Sequence, residues 1–195
     1  MRDDEITEYA LAAGRGDADA VAAFVRATQA DVWRYIAYLA DRGNADDLTQ
    51  ETYLRALRGL RTFRGETAAR VWLLTIARRT VVDHFRRQGR RPPVTASLDT
   101  TPGADRLGPV LADPAGVVAL RALIERLDPD KRAAFVLTQV TGLSYAEAAE
   151  ACDVPVGTIR SRVARAREDL LTWLADAEDD AAEAPAPERK LRRLR

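Results

Sequence analysis

Apolar residues in the first half of the chain recur at steps of three and four. Val21, Phe24, Val25, Val32, Ile36 and Leu39 fall on one stripe, which predicts an amphipathic helix closed by Gly43. Leu48, Tyr53, Leu54 and Leu57 predict a second helix, from about Asp46 to Gly59, with these four side chains turned inward. Trp72, Leu73, Ile76 and Val81 predict a third, from about Ala68 to Phe85. No segment alternates with period two over the length of a strand, so the expected class is all-α. From Gln88 to Gly116 the stripe is lost and Pro92, Pro93, Pro102, Pro109 and Pro114 appear. That composition predicts a flexible, semi-extended linker.

Beyond the linker the helix boundaries are written in the sequence. Asp128 can cap a helix that has Pro129 at its first position, and Gly142 can end it. Ser144-Tyr-Ala-Glu147 is a capping box. The helix it opens runs to about Cys152, Asp153–Pro155 turns the chain, and a last helix runs from about Val156 to Trp173. Two helices joined by so tight a turn form a helix-turn-helix. In the last helix Ile159, Val163, Ala166 and Leu170 make one buried stripe. Thr158, Arg160, Ser161, Ala164, Arg165 and Arg167 are left as a candidate DNA face. Small Ser161 and Ala164 permit close approach, and Arg can bond guanine with two hydrogen bonds. The alternative is a solvated bundle helix whose arginines pair with Glu168 and Asp169. The tail, residues 175–195, is acidic, then Pro-containing, then basic, and is expected to be disordered.

Charge sharpens this picture. The formal net charge is zero, yet residues 1–60 hold seven Arg against eleven Asp and Glu, and residues 61–91 hold nine Arg against Glu66 and Asp83. A basic block inside a neutral chain suits an anionic polymer. One cysteine, Cys152, and one histidine, His84, leave metal-dependent and histidine-based catalysis poorly supplied, and no cofactor is expected. Cys152, among Ala148, Ala149 and Val154, reads as a small buried hydrophobe. The acidic N-terminus is no signal peptide and no apolar run is long enough to span a bilayer, so a cytoplasmic protein is expected.

The stretch LDPDKRAAFVLTQVTGLSYAEAAEACDVPVGTIRSRVARAREDL resembles domain 4 of the extracytoplasmic-function sigma factors, a branch of the sigma-70 family. NADDLTQETYLRAL resembles the domain 2 helix by which they dock on RNA polymerase. FRGETAARVWLLTIARRTVVDHFRR resembles their −10 region. The resemblance implies an N-terminal segment (1–16), sigma domain 2 (17–87), a linker (88–116), sigma domain 4 (117–174) and the tail (175–195). It implies that Asp46, Asp47, Gln50 and Glu51 meet a basic coiled coil of the largest polymerase subunit. Phe63, Arg64 and Gly65 belong to the loop that takes up a flipped −10 base. Arg70, Arg78, Arg79, Arg86 and Arg87 hold phosphates of opening DNA, and the candidate face after the turn reads the −35 duplex. Trp72 matches a tryptophan of the family and is expected in the core. Arg79 stands where members usually carry Asn, and Ala68 and Ala69 stand where aromatics are common. The implied partners are core RNA polymerase, promoter DNA and, as a further candidate, an anti-sigma factor; the free chain is expected to be a monomer and not an enzyme. The rival reading is a stand-alone helix-turn-helix regulator, which leaves the DDLTQET helix unexplained. A last expectation concerns control. Acidic and basic surfaces on one tether could close domain 4 onto domain 2 electrostatically and mask both DNA surfaces.

Overall fold

The structure, a computed structural model, describes residues 2–40, 42–89 and 114–183, and every regular element among them is helical. The expected linker lies almost wholly outside the described residues, as does the tail beyond Glu183.

Helix α1 (Asp3–Gly14) opens with Asp3, Asp4 and Glu5, which complement the positive end of the helix dipole. It buries Ile6, Ala10 and Ala13. The sequence reading placed no helix here, because the apolar positions on this stretch are mostly small. Gly14 allows a close approach: a Cβ there would stand 2.4 Å from the Leu60 carbonyl oxygen. In α2 (Ala18–Leu39) Asp17 caps the start by accepting the Ala20 N–H at 3.0 Å. Phe24, Val32 and Ile36 of the expected stripe are sealed from solvent.

Helix α3 (Arg42–Gly59) departs from expectation on two points: α2 already ends at Leu39, so Gly43, expected to close it, lies inside α3, which starts before Asp46, and the inner face of α3 differs. Leu48 and Tyr53 are buried, but Leu54 is 52% exposed and Leu57 37%. The inner face is Ala45, Leu48, Thr52 and Ala56, at steps of three and four, which puts Leu54 and Leu57 on the far side. Buried Thr52 donates to the Leu48 carbonyl at 2.7 Å and so tolerates that face. A 3₁₀ turn (Leu60–Thr62) and a short loop lead to α4 (Ala69–Arg87).

The C-terminal unit contains α5 (Pro114–Arg126) and α6 (Pro129–Phe135), which runs into a π-type turn over Val136–Val140. Helices α7 (Tyr145–Cys152) and α8 (Val156–Glu183) follow. Asp128 accepts the Asp130 N–H at 3.0 Å, and Gly142 turns with φ of 74°. The Ser144–Glu147 capping box is closed in both directions, at 3.2 and 2.7 Å. Asp153 ends α7 in the left-handed region (φ 56°), which Asp tolerates better than most residues. Helix α8 does not stop near Trp173, and residues 175–183 are helical instead of disordered. Ala, Leu and Glu are strong helix formers and no Gly or Pro intervenes, so local propensity favours continuing the helix. Helix α5 likewise begins inside the stretch read as linker.

The two units share one hydrophobic core. Helices α2 and α4 pack against α6, α7 and the π-type turn, and α5 reaches α2.

Candidate nucleic-acid interface

Three surfaces carry the residues singled out in the sequence. The first lies where the 3₁₀ turn hands the chain to α4. Gly65 takes φ of 74°, which an L side chain adopts only under strain, and it lies against Leu11. Phe63 stacks at an angle on Trp72, with ring centroids 4.9 Å apart. The pair borders a recess of about 600 Å³ whose other walls include Arg64, Thr67, Ile76 and Arg79. Trp72 is thus half-buried: it packs on the core and also lines the recess. Aromatic faces beside exposed guanidinium groups can stack a base and hold its phosphate. Ala69 is fully buried and its N–H donates to Thr7 Oγ1 at 3.0 Å. This position is therefore packing surface and cannot act as a wedge.

The five arginines expected on α4 divide. Arg79 and Arg86 are exposed. Arg87 is exposed but pairs with Glu51 at 3.1 Å. Arg78 is half-buried and faces Asp130 and Ala133 of α6 across a small void. Arg70 is engaged on three sides, with Asp31 at 2.9 Å, Asp3 at 3.8 Å and the Thr141 carbonyl.

On the second surface, α3, Asp46, Asp47 and Gln50 are exposed. The Asp46 carboxylate also accepts the Trp33 indole N–H at 2.7 Å. Glu51 turns away, toward Arg55 at 2.6 Å and Arg87. Arg55 also binds Asp83 at 2.9 Å, and this hydrogen bond, the largest influence on the group, raises the guanidinium pKa. The acidic face therefore loses Glu51 to an α3–α4 ion-pair network and gains exposed Leu54 and Leu57. Helical spacing from Leu48 would have revealed both leucines, but their size suggested burial.

The third surface is α8. Ile159, Val163, Ala166 and Leu170 are buried as expected. Arg160, Ser161, Ala164, Arg165 and Arg167 are exposed, and Thr158 is half-buried. Arg167 donates to Gln139 at 2.8 Å, and Ser161 Oγ donates to the Thr158 carbonyl at 2.9 Å. Asp169 binds Lys131 at 2.7 Å, so the pairing foreseen by the bundle-helix reading is not made there. Cys152 is 3% exposed, and burial raises its thiol pKa. Among the described residues no cluster of His, Cys, Asp and Glu could hold a metal, and no helix is long and apolar enough to cross a membrane.

Residues 24–91 match the family Sigma-70 region 2, and residues 118–170 match Sigma-70, region 4. An ECF RNA polymerase sigma factor of Mycobacterium tuberculosis, SigC, is 49% identical over 180 residues, covering 91% of this chain and 94% of the relative. This chain belongs to the extracytoplasmic-function sigma factors. The ECF sigma-E factor of Escherichia coli is 34% identical over 169 residues, covering 80% of this sigma factor and 87% of the relative. Among solved structures, CnrH in complex with the cytosolic domain of CnrY superposes with a TM-score of 0.68 at 25% identity, covering 88% of this chain and 98% of the other. The sigma factor RpoE of Bartonella quintana, in complex with the anti-sigma factor NepR, gives 0.65 at 26% identity, covering 77% and 94%. The all-α fold and the assignment as an RNA polymerase sigma factor thus stand together. Sigma factors are regulators of transcription initiation and not enzymes.

Proposed function

We propose that this sigma factor directs core RNA polymerase to promoters by reading a −35 duplex with α8 and capturing a single-stranded −10 base in the recess beside Phe63 and Trp72. Residues 17–87 and 117–174 act as the two promoter-reading domains and 88–116 as the connection between them. The observation that carries this reading is the recess: two aromatic rings and exposed Arg64 and Arg79 face one open cavity. Unstacking a base costs a few kcal/mol, which stacking on Phe63 and Trp72 and phosphate contacts from Arg79 and Arg86 offset. Asp46, Asp47 and Gln50, extended by Leu54 and Leu57, form the polymerase-docking face. Glu51 supports it from behind by bracing α3 on α4. The chain works in the cytoplasm with polymerase, which performs the covalent chemistry.

Sequencing of DNA retained by the reconstituted holoenzyme should yield two separated elements, and run-off transcription should start at a fixed distance from the downstream one. Ala at Arg160 or Arg165 should cost about 1–3 kcal/mol and relax one base position of the upstream element. A uniform loss on all promoter variants would make these residues phosphate contacts instead.

A further inference from the structure

Helix α1 lies outside the match to region 2, which starts at residue 24, and carries none of the proposed promoter contacts. Its core face is Ile6, Ala10 and Ala13. A second stripe, Asp3, Thr7, Leu11 and Gly14, runs beside it at steps of four, four and three. Each member of this stripe meets the chain between α3 and α4, or the start of α4. At Gly14 the helix comes so close to the 3₁₀ turn that a Cβ would stand 2.4 Å from the Leu60 carbonyl oxygen. Leu11 lies against the bend at Gly65, where a Cβ would meet its Cδ1 at 3.4 Å. Thr7 Oγ1 accepts the Ala69 N–H at 3.0 Å, and Asp3 stands 3.8 Å from Arg70. The two segments therefore run antiparallel, in contact from one end of the loop to the other.

The Thr7 contact repairs a weak point of α4. Ala68 holds the N-cap position with no side chain to accept from the first turn, and that turn carries no acidic residue. Alanine is among the poorest caps, and the first N–H groups of a helix have no partner within it. The acceptor for Ala69 comes instead from another helix, 62 residues away in sequence. Thr7 gives its own hydroxyl proton to the Asp3 carbonyl at 2.9 Å, which leaves oxygen lone pairs for the Ala69 N–H.

We propose that α1 is a jig for the base recess, with Thr7 and Leu11 as positioning residues that touch no DNA. Phe63 and Arg64 lie between the contacts at Leu60 and Gly65, and Trp72 follows Ala69 by about one turn of α4. Gripping the loop at these points fixes the two aromatic walls relative to each other. Discriminating one base from another requires walls held to within about 0.5 Å. Phosphate contacts depend on charge, carry no sequence information and tolerate a looser loop. Loss of the grip therefore lowers base preference and spares charge-driven binding. The proposal rests on the reading of the recess as the −10 site, but the grip itself is measurable without DNA or polymerase.

The test uses the full chain, free and reconstituted with core RNA polymerase. In the free wild type the Ala69 amide should exchange slowly for a first-turn position. Thr7→Val keeps the side-chain shape and removes the acceptor. It should speed that exchange about twofold to tenfold, the range of one neutral hydrogen bond, with helicity unchanged. Thr7→Ser should restore the slow exchange. Leu11→Ala loosens the loop at Gly65 and is the second, independent variant. For the holoenzyme the probe is a premelted DNA bubble carrying the downstream element recovered from retained DNA, beside copies changed one base at a time. Preference for the original element over these copies should fall about twofold to tenfold in Thr7→Val and Leu11→Ala, and return in Thr7→Ser. Affinity for core polymerase, and for a bubble without the element, should match wild type. Ala69 exchange in Thr7→Val equal to wild type would overturn the grip. Base preference intact in both Thr7→Val and Leu11→Ala would overturn the positioning role, as would an equal loss on every bubble. A wild-type holoenzyme with no base preference would strike the proposed function and the capture role with it, and amide exchange would still decide whether α1 holds the loop.

Discussion

Asp47 and Glu51 sit one turn apart on α3, yet their surroundings differ. Asp47 faces solvent, whereas Glu51 is held by Arg55 and Arg87 at 2.6 and 3.1 Å. Charge reversal therefore separates docking from bracing. Asp47→Lys should lower affinity for core polymerase at least about tenfold and leave thermal unfolding unchanged. Glu51→Lys should lower affinity and also cost about 1 kcal/mol of stability, since half-exposed pairs are worth little more than that. Titration of polymerase binding beside a denaturant melt reads both; equal destabilisation by the two variants would remove the distinction. Tyr53 provides a second residue-level test. Its hydroxyl is buried against Thr28 Oγ1 at 2.7 Å, and desolvation pushes its pKa up to about 12 from 10.0. The neutral phenol is the form the fold favours, so its contribution is complete below pH 10, where the unfolded chain begins to ionise, and is lost between about pH 10 and 12. Comparison of denaturant melts across that window should show wild type losing about 2–3 kcal/mol more than Tyr53→Phe.

At the scale of elements, helix ends were easier to read than helix faces. The ends of α6 and α7 depend on particular side chains a few residues away, so Asp128, Pro129, Ser144, Glu147 and Asp153 announced them. Ser144→Ala removes the acceptor for the Glu147 N–H, 3.2 Å away, and should destabilise the C-terminal unit by about 0.5–2 kcal/mol. Amide exchange should show the loss concentrated at the start of α7. An even loss across all helices would mean that the cap is not what holds that end. The inner face of α3 was harder to read because Ala45, Thr52 and Ala56 fill it while larger leucines point outward. The faces of α2 and α8 were legible because larger apolar side chains, Phe24, Val32 and Ile36 on one and Ile159, Val163 and Leu170 on the other, mark most of their turns.

For the whole molecule, the two units were expected to meet through opposite charges and to mask both DNA surfaces. The contact is instead made chiefly by α2 and α4, not by the acidic helix α3, and its polar part is arginine on buried carbonyl. Salt screens exposed charges far more than buried ones. The radius of gyration of the free chain should therefore stay constant between low and about 1 M salt. A shared core also predicts one cooperative melt for both units in the wild type and two separate melts in Arg121→Ala. Expansion with salt would restore the electrostatic picture.

The sequence by itself determined the helical class, the two stretches that match sigma-70 regions 2 and 4, the turn and caps of the helix-turn-helix, and the clustering of arginine after residue 60. These properties rest on local periodicity, on capping over three or four residues, and on charge that burial does not alter. Only the tertiary structure decided which of those arginines are engaged, because Arg70 donates to the Thr141 carbonyl of the other unit and Arg78 lines a void beside Asp130 and Ala133, neighbours that no local pattern specifies. It also decided that Glu51 braces while Leu54 is presented, and that the Tyr35 hydroxyl is buried with no hydrogen-bond partner among the described residues. Each of these depends on which helix packs against which, a choice made by contacts distant in sequence.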